Sequence, residues 1–243
     1  MHIFPAGCNL GERVARPACT RCLRPLTHCL CQWIPALDSR TRVLVLQHPD
    51  EARHALNTAR LAVLGLRNAS LCVGRHFDAG LWQVPGYQPW LLFPGQDAEI
   101  LAPADRAIGP AGNPVAHAIG NAAMAAAAGA AQEPPRLLVV PDGTWRHARQ
   151  LLAAHPALAA LPRVALAGTQ LSRYRIRHAE HSQALATIEA VAGALDALEA
   201  PRSFAALLKP FEMLVAGQIA AMGHERYERD HVRRAGSRAA RQK

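Results

Sequence analysis

The chain has 243 residues, half of them hydrophobic, with a formal net charge of +9 and a pI near 10. This length allows one α/β domain with a small appendage, and the positive charge favours a polyanionic partner, nucleic acid before anionic membrane. No signal-peptide pattern and no membrane-spanning run rich in large apolar side chains is evident, so we expect a cytoplasmic protein without membrane contact and infer no protein partner.

Four cysteines near the N-terminus form two close pairs within thirteen residues: Cys19, Cys22, Cys29 and Cys31. Two such thiolate pairs complete a tetrahedral shell around zinc with no open coordination position, which makes the metal structural. The alternative is a pair of disulfides, which needs an oxidising compartment. The sequence therefore predicts an N-terminal zinc-binding module over residues 1–35.

Short apolar runs, rich in β-branched and aliphatic residues, predict buried strands. They lie at Arg42–His48, Ser70–Gly74, Trp90–Pro94, Arg136–Pro141 and Arg163–Ala167. A helix of about sixteen residues is predicted to begin with Asp50 as its N-cap. Further helices are predicted from Asp142 to about His155, over Gln183–Leu198 and over Phe204–Met222. This alternation predicts an α/β fold in which helices cover both faces of a mostly parallel sheet.

Two segments of the chain have a biased composition. Residues 102–135 are dominated by Ala, Gly and Pro, which predicts a flexible insertion within a main domain over 36–223. Residues 224–243 hold seven Arg or Lys, including Arg233 and Arg234, against three acidic residues. This basic tail is suited to phosphate contact, although a solvated tail without a partner has the same composition.

Two sets of arginines have a regular spacing. One set recurs every seventh residue of the first predicted helix, at Arg53, Arg60 and Arg67. The other alternates along an extended segment, at Arg173, Arg175 and Arg177. Each set can contact an RNA backbone, and each can equally be a solvated face.

Asp142 directly follows an apolar strand, and Gly143 permits a tight turn after it. In an open α/β sheet, ligands bind at the carboxyl ends of the strands. A carboxylate at this place is either a helix N-cap or a catalytic base, and the residues alone favour the cap. The chain contains neither a Walker motif nor Gly-x-Gly-x-x-Gly.

Several motifs in a fixed order resemble the DTW-domain family, the tRNA-uridine aminocarboxypropyltransferases of bacterial type. The resemblance covers nearly the whole chain outside 102–135. Its pieces are the four cysteines, His48-Pro49-x-Glu51 followed by Asn57-Thr58, Leu92-Phe93-Pro94-Gly95 with Ala98 and Leu101, Asp142-Gly143-Thr144-Trp145 with Ala148, Ser172-x-Tyr174-x-Ile176-Arg177, and Thr187-x-Glu189-Ala190. The chain departs from the family pattern at Pro141, where a hydrophobic residue usually precedes the aspartate.

The resemblance implies a SPOUT-like, knotted fold that binds S-adenosylmethionine. It implies transfer of the 3-amino-3-carboxypropyl group of this cofactor to N3 of a uridine in tRNA, with methylthioadenosine leaving. A SPOUT-like RNA methyltransferase and a non-enzymatic, zinc-stapled RNA-binding protein are the alternatives.

The resemblance also implies roles for individual residues. Asp142 is the expected general base, and structural Zn²⁺ is expected on the four cysteines. The expected cofactor-binding residues are Phe93, Pro94, Gly95, Pro141, Thr144, Trp145, Ser172, Tyr174, Arg177, Thr187 and Glu189. The spacing of the arginines and the charge of the tail, rather than the resemblance, give the expected RNA-binding residues Arg53, Arg60, Arg173, Arg175, Arg233 and Arg234.

Overall fold

The computed structural model describes residues 17–54, 56–102, 133–167 and 185–223, and these build a single six-stranded sheet. The strands are β1 (Arg42–Gln47), β2 (Ala69–Val73), β3 (Gln88–Leu92), β4 (Glu99–Leu101), β5 (Arg136–Asp142) and β6 (Arg163–Leu166). They are hydrogen-bonded in the order β2-β1-β5-β3-β6-β4, and every pair is parallel. All six carboxyl ends therefore lie at one edge of the sheet.

The central strands are apolar on both faces because each face is covered. Val43 and Val45 of β1 point into one apolar cluster, whereas Leu44 and Leu46 point into the other. This is the alternation of side chains expected along a strand. Because both faces are covered, the sequences of β1 and β5 are continuous apolar runs, as is typical of strands buried on both faces.

Helices form a layer on each face of the sheet. The first layer contains α2 (Ala59–Leu64), α5 (Thr187–Leu198) and α6 (Lys209–Met222), and the opposite layer contains α3 (Trp145–Ala154) and α4 (Pro156–Ala159). The remaining helix, α1 (Pro49–Ala52), is a single turn after β1. Short 3-10 turns lie at Leu26–His28, Cys31–Trp33, Ala79–Leu81 and Ala205–Leu208. The predicted α/β fold with helices on both faces is confirmed.

The five predicted strands are all present, with ends shifted by a few residues, but the short edge strand β4 was not predicted. The single long helix predicted from Asp50 is wrong. The N-cap of α1 is His48, whose ring accepts a hydrogen bond from the Asp50 amide, and the chain then breaks before α2. Asn57 stabilises the break, because its side chain donates to the Glu51 carbonyl and accepts from the Arg60 amide.

This break also separates the three arginines that were predicted to recur along one long helix. Arg53 ends α1 at the carboxyl edge of the sheet and Arg60 lies in the first turn of α2. Arg67 follows α2 and directly precedes the start of β2, so it lies at the opposite edge. The three arginines therefore do not share one helix face.

The cysteine module packs on the main domain. Cys22, Leu30 and Ile34 are buried in the same apolar cluster as Val43 and Phe211. The Arg24 guanidinium donates to the Asn57 carbonyl over 2.9 Å. The module therefore shares its buried surface with the first helical layer.

One stretch departs from the expectation that no apolar run is long enough to span a membrane. Ala205–Met222 is 18 residues long with a mean hydropathy of 1.3, enough by length and composition alone. Its residues Leu207, Phe211 and Leu214 are buried in the core of the sheet layer. A core-packed helix passes the same compositional test, so the stretch is weak evidence for a membrane span.

Candidate active site at the carboxyl edge of the sheet

Asp142 is the last residue of β5 and is held from two directions. Its Oδ2 accepts a 2.6 Å hydrogen bond from the side-chain amide of Gln47, the facing residue of β1. Its Oδ1 accepts a hydrogen bond from the hydroxyl of Thr187, the first residue of α5. Gln47 is fully buried, so this arrangement is part of the core. Two donors from different elements therefore fix the position of the carboxylate.

The helix that follows the turn is capped by a different residue. Thr144 Oγ1 accepts a 3.2 Å hydrogen bond from the amide of His147, which makes Thr144 the N-cap of α3. The interpretation of Asp142 as an N-cap is therefore wrong. Its carboxylate is used for contacts across the sheet edge instead.

Gly143 makes the turn between Asp142 and Thr144 possible. Its φ is +151°, a conformation that other residues rarely adopt. A Cβ atom at this position would lie 3.0 Å from the Cβ of His147 and 3.5 Å from the Cγ of Glu51. The close approach of the α1 and α3 segments around the turn therefore requires glycine.

A pair of aromatic rings lies on the β3 side of this turn. Phe93 directly follows β3, and its ring meets Trp145 edge to face with centroids 5.5 Å apart. Trp145 is 45% exposed, which is unusual for so large an apolar side chain. Pro94 and Gly95 continue the chain beyond Phe93, and the Arg163 side chain packs beneath Gly95. This side of the edge offers an accessible aromatic surface beside open backbone.

Two imidazole rings are stacked on the β1 side. His48 and His147 lie with ring centroids 3.8 Å apart and planes tilted by 12°. Burial lowers the pKa of His48, and the nearby His147 and Arg75 lower it further. His48 is therefore neutral near pH 7, and its 3.4 Å approach to Asp50 is not a charged pair. The Nδ1 atom accepts from the Asp50 amide over 3.3 Å, which leaves the proton on Nε2.

A cavity of about 280 Å³ opens beside these rings. Its wall includes Asp142, the two stacked histidines and the segment 74–77 that follows β2. It thus lies at the carboxyl ends of β1, β2 and β5, where an open α/β sheet binds its ligands.

The four cysteines have the geometry of a closed metal site. Their Sγ atoms all lie within 4.8 Å of one another, with 3.6 Å from Cys19 to Cys31 and 3.8 Å from Cys22 to Cys29. A disulfide has an S–S distance of about 2.05 Å, so neither pair is bonded. A tetrahedron of Zn–S bonds of about 2.3 Å has S–S edges of about 3.8 Å, which matches these distances.

The electrostatics of the cluster also suit a cation. The backbone amides of Cys22 and Arg21 lower the pKa of the Cys19 thiol to about 6. Burial, together with the neighbouring thiols, raises the pKa of Cys31 to about 12. The raised pKa keeps the Cys31 thiol protonated near pH 7, and a bound divalent cation would favour its thiolate.

Comparison with known proteins assigns the chain to a family. The model of the DTW domain matches residues 16–219. The chain belongs to the DTW domain family. A Drosophila melanogaster protein, tRNA-uridine aminocarboxypropyltransferase 2, is 30% identical over 217 residues, which are 84% of this chain and 76% of the relative. The Macaca fascicularis protein of the same name is 29% identical over 231 residues, 91% of this chain and 70% of the relative.

A plant DTW relative matches a shorter segment. The Arabidopsis thaliana protein tRNA-uridine aminocarboxypropyltransferase A is 30% identical over 147 residues, 57% of this chain and 51% of the relative. No solved structure gives a significant match to the chain. The family resemblance stated from the sequence motifs is confirmed.

The structure brings many of the predicted DTW site residues to one edge. These are Phe93, Pro94, Gly95, Pro141, Asp142, Thr144, Trp145 and Thr187. Glu189 lies one turn inside α5, where its carboxylate accepts from the Ala186 amide and stabilises the helix start. The predicted sites Ser172, Arg173, Tyr174, Arg175, Arg177, Arg233 and Arg234 lie outside the described residues, as does nearly all of the predicted insertion.

Sequence reasoning missed four residues of this edge as members of the site: Gln47, Arg75, His76 and His147. Gln47 carried a usable signal, because a polar residue at the end of a buried strand needs a partner. His147 carried none, since its stacking on His48 joins residues that are far apart in the chain.

Proposed function

We propose that the chain transfers the 3-amino-3-carboxypropyl group of S-adenosylmethionine to a uridine of tRNA. Its membership of the DTW family and the names of its relatives support this activity. The observation that carries the proposal is the doubly held carboxylate of Asp142 at the sheet edge, between an exposed aromatic pair and a cavity.

The residues around Phe93 and Trp145 fit S-adenosylmethionine. Trp145 offers an exposed indole, and Pro94 and Gly95, which follow Phe93, are exposed as well. When bound, the cofactor supplies an electrophilic carbon attached to a sulfonium. The chain would hold its adenosine part at the ends of β3 and β5, so that this carbon faces the uridine.

Asp142 is proposed to act on the acceptor. Uridine N3 carries a proton and is a poor nucleophile until that proton leaves. In the proposed step Asp142 takes the N3 proton, the N3–C bond forms, and the C–S bond breaks with its electron pair going to sulfur. Gln47 and Thr187 orient the carboxylate during this step, so the base is positioned before the uridine binds.

The N-terminal cluster is proposed to hold one structural Zn²⁺ on Cys19, Cys22, Cys29 and Cys31. The sulfur–sulfur distances and the buried, shared packing of Cys22 support this role. A shell of four thiolates leaves no open position, so we assign the metal no part in the reaction.

The finer fold proposal is that the C-terminal part of the domain is SPOUT-like and knotted. Its support is the start of α5, where Thr187 lies against Asp142 in the middle of the sheet although β6 lies two strands away.

One experiment separates this function from its alternatives. The protein is incubated with S-adenosylmethionine and unmodified tRNA, and the small-molecule product is identified by mass spectrometry. Methylthioadenosine, released only with tRNA present, is the expected result. S-adenosylhomocysteine would indicate a methyltransferase, and binding of tRNA without either product would indicate a non-enzymatic protein.

A further inference from the structure

The cavity beside Asp142 is separate from the Phe93–Trp145 pair. The pair lies at the end of β3 and the start of α3, and neither of its residues lines the cavity. The cavity is lined from the ends of β1, β2 and β5 and by later residues of α3, from His147 to Ala154. At about 280 Å³, it is below the range of about 300–1,000 Å³ typical for pockets of drug-sized ligands. It therefore suits one flat ring better than a whole dinucleotide-sized cofactor. A transfer reaction needs its acceptor next to its donor, and this is the adjoining space.

Four of the residues that line the cavity carry aromatic rings. His48 and His147 are stacked on one side, and His76 and Phe77 contribute two further rings. Single-stranded bases are recognised by stacking on such rings, including histidine. The ligand atoms of His48, Asp50 and His147 lie within 4.8 Å of one another, but lone pairs of two stacked rings tilted by only 12° do not converge on one ion.

His48 offers the cavity a fixed hydrogen-bond character. With Nδ1 accepting from the Asp50 amide, the neutral ring carries its proton on Nε2 and is a donor there. Uracil presents two carbonyl acceptors that flank N3–H. Because His48 and Asp142 both line the cavity, its wall holds a donor for a uracil carbonyl and an acceptor for N3–H.

Arg75 supplies the charge at the rim. Its side chain is 63% exposed, and its contact with Asp50 is a long one of 3.9 Å between two exposed groups. Such a surface pair contributes little, so the guanidinium can bind a phosphate at small cost.

The segment carrying Arg75 and His76 is anchored at both ends. The Gly74 amide donates to the Gln47 carbonyl over 3.0 Å. The Phe77 amide donates to Nε2 of His155, whose Nδ1 then carries the proton and donates to the Leu151 carbonyl. The rim is therefore held in place without a ligand.

We propose that this cavity receives the uracil ring of the target uridine, with the ring against the histidine wall and its phosphate on Arg75. The inference rests on the proposed function and assigns the acceptor its place within that site. Its N3–H then faces Asp142, and the opposite side of the turn remains for the cofactor.

The first test compares two arginines of similar exposure. Arg75→Ala should raise the KM for tRNA about tenfold, because a phosphate contact is lost, and leave the cofactor Kd unchanged. Arg67→Ala is the matched control: Arg67 is 65% exposed and 3.5 Å from Asp38, but it lies at the opposite edge of the sheet. His76→Ala should lower kcat/KM about tenfold through lost stacking.

The second test uses the unaltered protein. An RNA carrying 4-thiouridine at the position that the wild type modifies is irradiated on the enzyme, and the crosslinked peptide is identified. Crosslinks to residues 74–77 or 147–151 are expected. Crosslinks confined to other segments would overturn the assignment. The same holds if the Arg75 and His76 variants have the same KM for tRNA and the same kcat/KM as Arg67→Ala. Absence of methylthioadenosine from the wild type would instead overturn the proposed function.

Discussion

The hydroxyl of Thr187 donates a hydrogen bond to Oδ1 of Asp142, across 45 residues of chain. It joins the start of α5 to the end of β5, while Gln47 holds the second carboxylate oxygen from β1. The DTW turn and the later Thr-x-Glu motif are thus parts of one arrangement. Thr187, predicted as a cofactor contact, is better placed to position Asp142.

Removing the Thr187 hydroxyl should reduce the chemical step. Thr187→Val preserves the shape of the side chain but removes the hydroxyl donor, so the Asp142 carboxylate loses one of the two hydrogen bonds that hold it. The value of kcat should therefore fall about tenfold or more, with little change in the cofactor Kd. Thr187→Ser keeps the hydroxyl and should restore most of kcat. Single-turnover kinetics with saturating tRNA measures both. A loss of cofactor affinity with unchanged kcat would show that Thr187 contacts the cofactor instead.

The cysteine cluster should hold metal close to one zinc per chain, measured by elemental analysis of purified protein. Cys22→Ser should abolish stoichiometric zinc and lower the stability of the whole domain, because Cys22 is only 3% exposed and lies in the shared core. Cys72→Ser is the matched control, since Cys72 lies in β2 outside the cluster. Equal zinc content and equal urea midpoints for the two variants would contradict a metal site at the cluster.

Most of the sheet was predictable from the sequence because its strands are short apolar runs, of which β1 and β5 are buried on both faces. The first helix was not, because His48 and Asn57 satisfy backbone groups through their side chains and stabilise a break that helical periodicity cannot reveal. Strand β4 was missed because its three residues, with two exposed, carry almost no pattern.

The site was predictable only in part. The motifs located Asp142 and Trp145, but the function of Asp142 depended on contacts with Gln47 and Thr187 that are distant in sequence. The N-cap assignment failed because two nearby residues, Asp142 and Thr144, both suit a cap chemically, and the turn at Gly143 presents Thr144 to the helix.

His48 should make the fold sensitive to acid. Burial, His147 and Arg75 lower its pKa and outweigh Asp50 and Glu51, which raise it. Because the folded pKa is below the unfolded value of about 6.5, the unfolded chain binds the proton first as pH falls. The contribution to stability is therefore full above about pH 6.5 and is lost as pH falls from there through the lower folded pKa.

His48→Asn tests this dependence, because asparagine Oδ1 takes the place of histidine Nδ1 and can still accept from the Asp50 amide. Urea unfolding at about pH 7.5 and about pH 5.5 should show a smaller loss of stability on acidification than in the wild type. His54→Gln, at an exposed histidine, is the control and should retain the wild-type loss. If the His48 variant loses as much stability on acidification as the wild type does, other groups cause the acid sensitivity.

Asp142→Asn should separate chemistry from structure at the site. The change removes the base but keeps the size of the side chain, and its oxygen can still accept from either Gln47 or Thr187. We expect a fall in rate of about a hundredfold or more, the usual scale for a general base, with nearly unchanged cofactor affinity.

The cap residue provides the contrasting variant. Because Thr144 rather than Asp142 caps α3, Thr144→Ala should lower the free energy of unfolding by about 1 kcal/mol, whereas Asp142→Asn should leave the helix cap intact. Thermal melting and turnover are measured for both proteins. An Asp142→Asn variant that retains wild-type turnover would exclude Asp142 as the base. The N3 proton would then pass to another group at the cavity wall or to water.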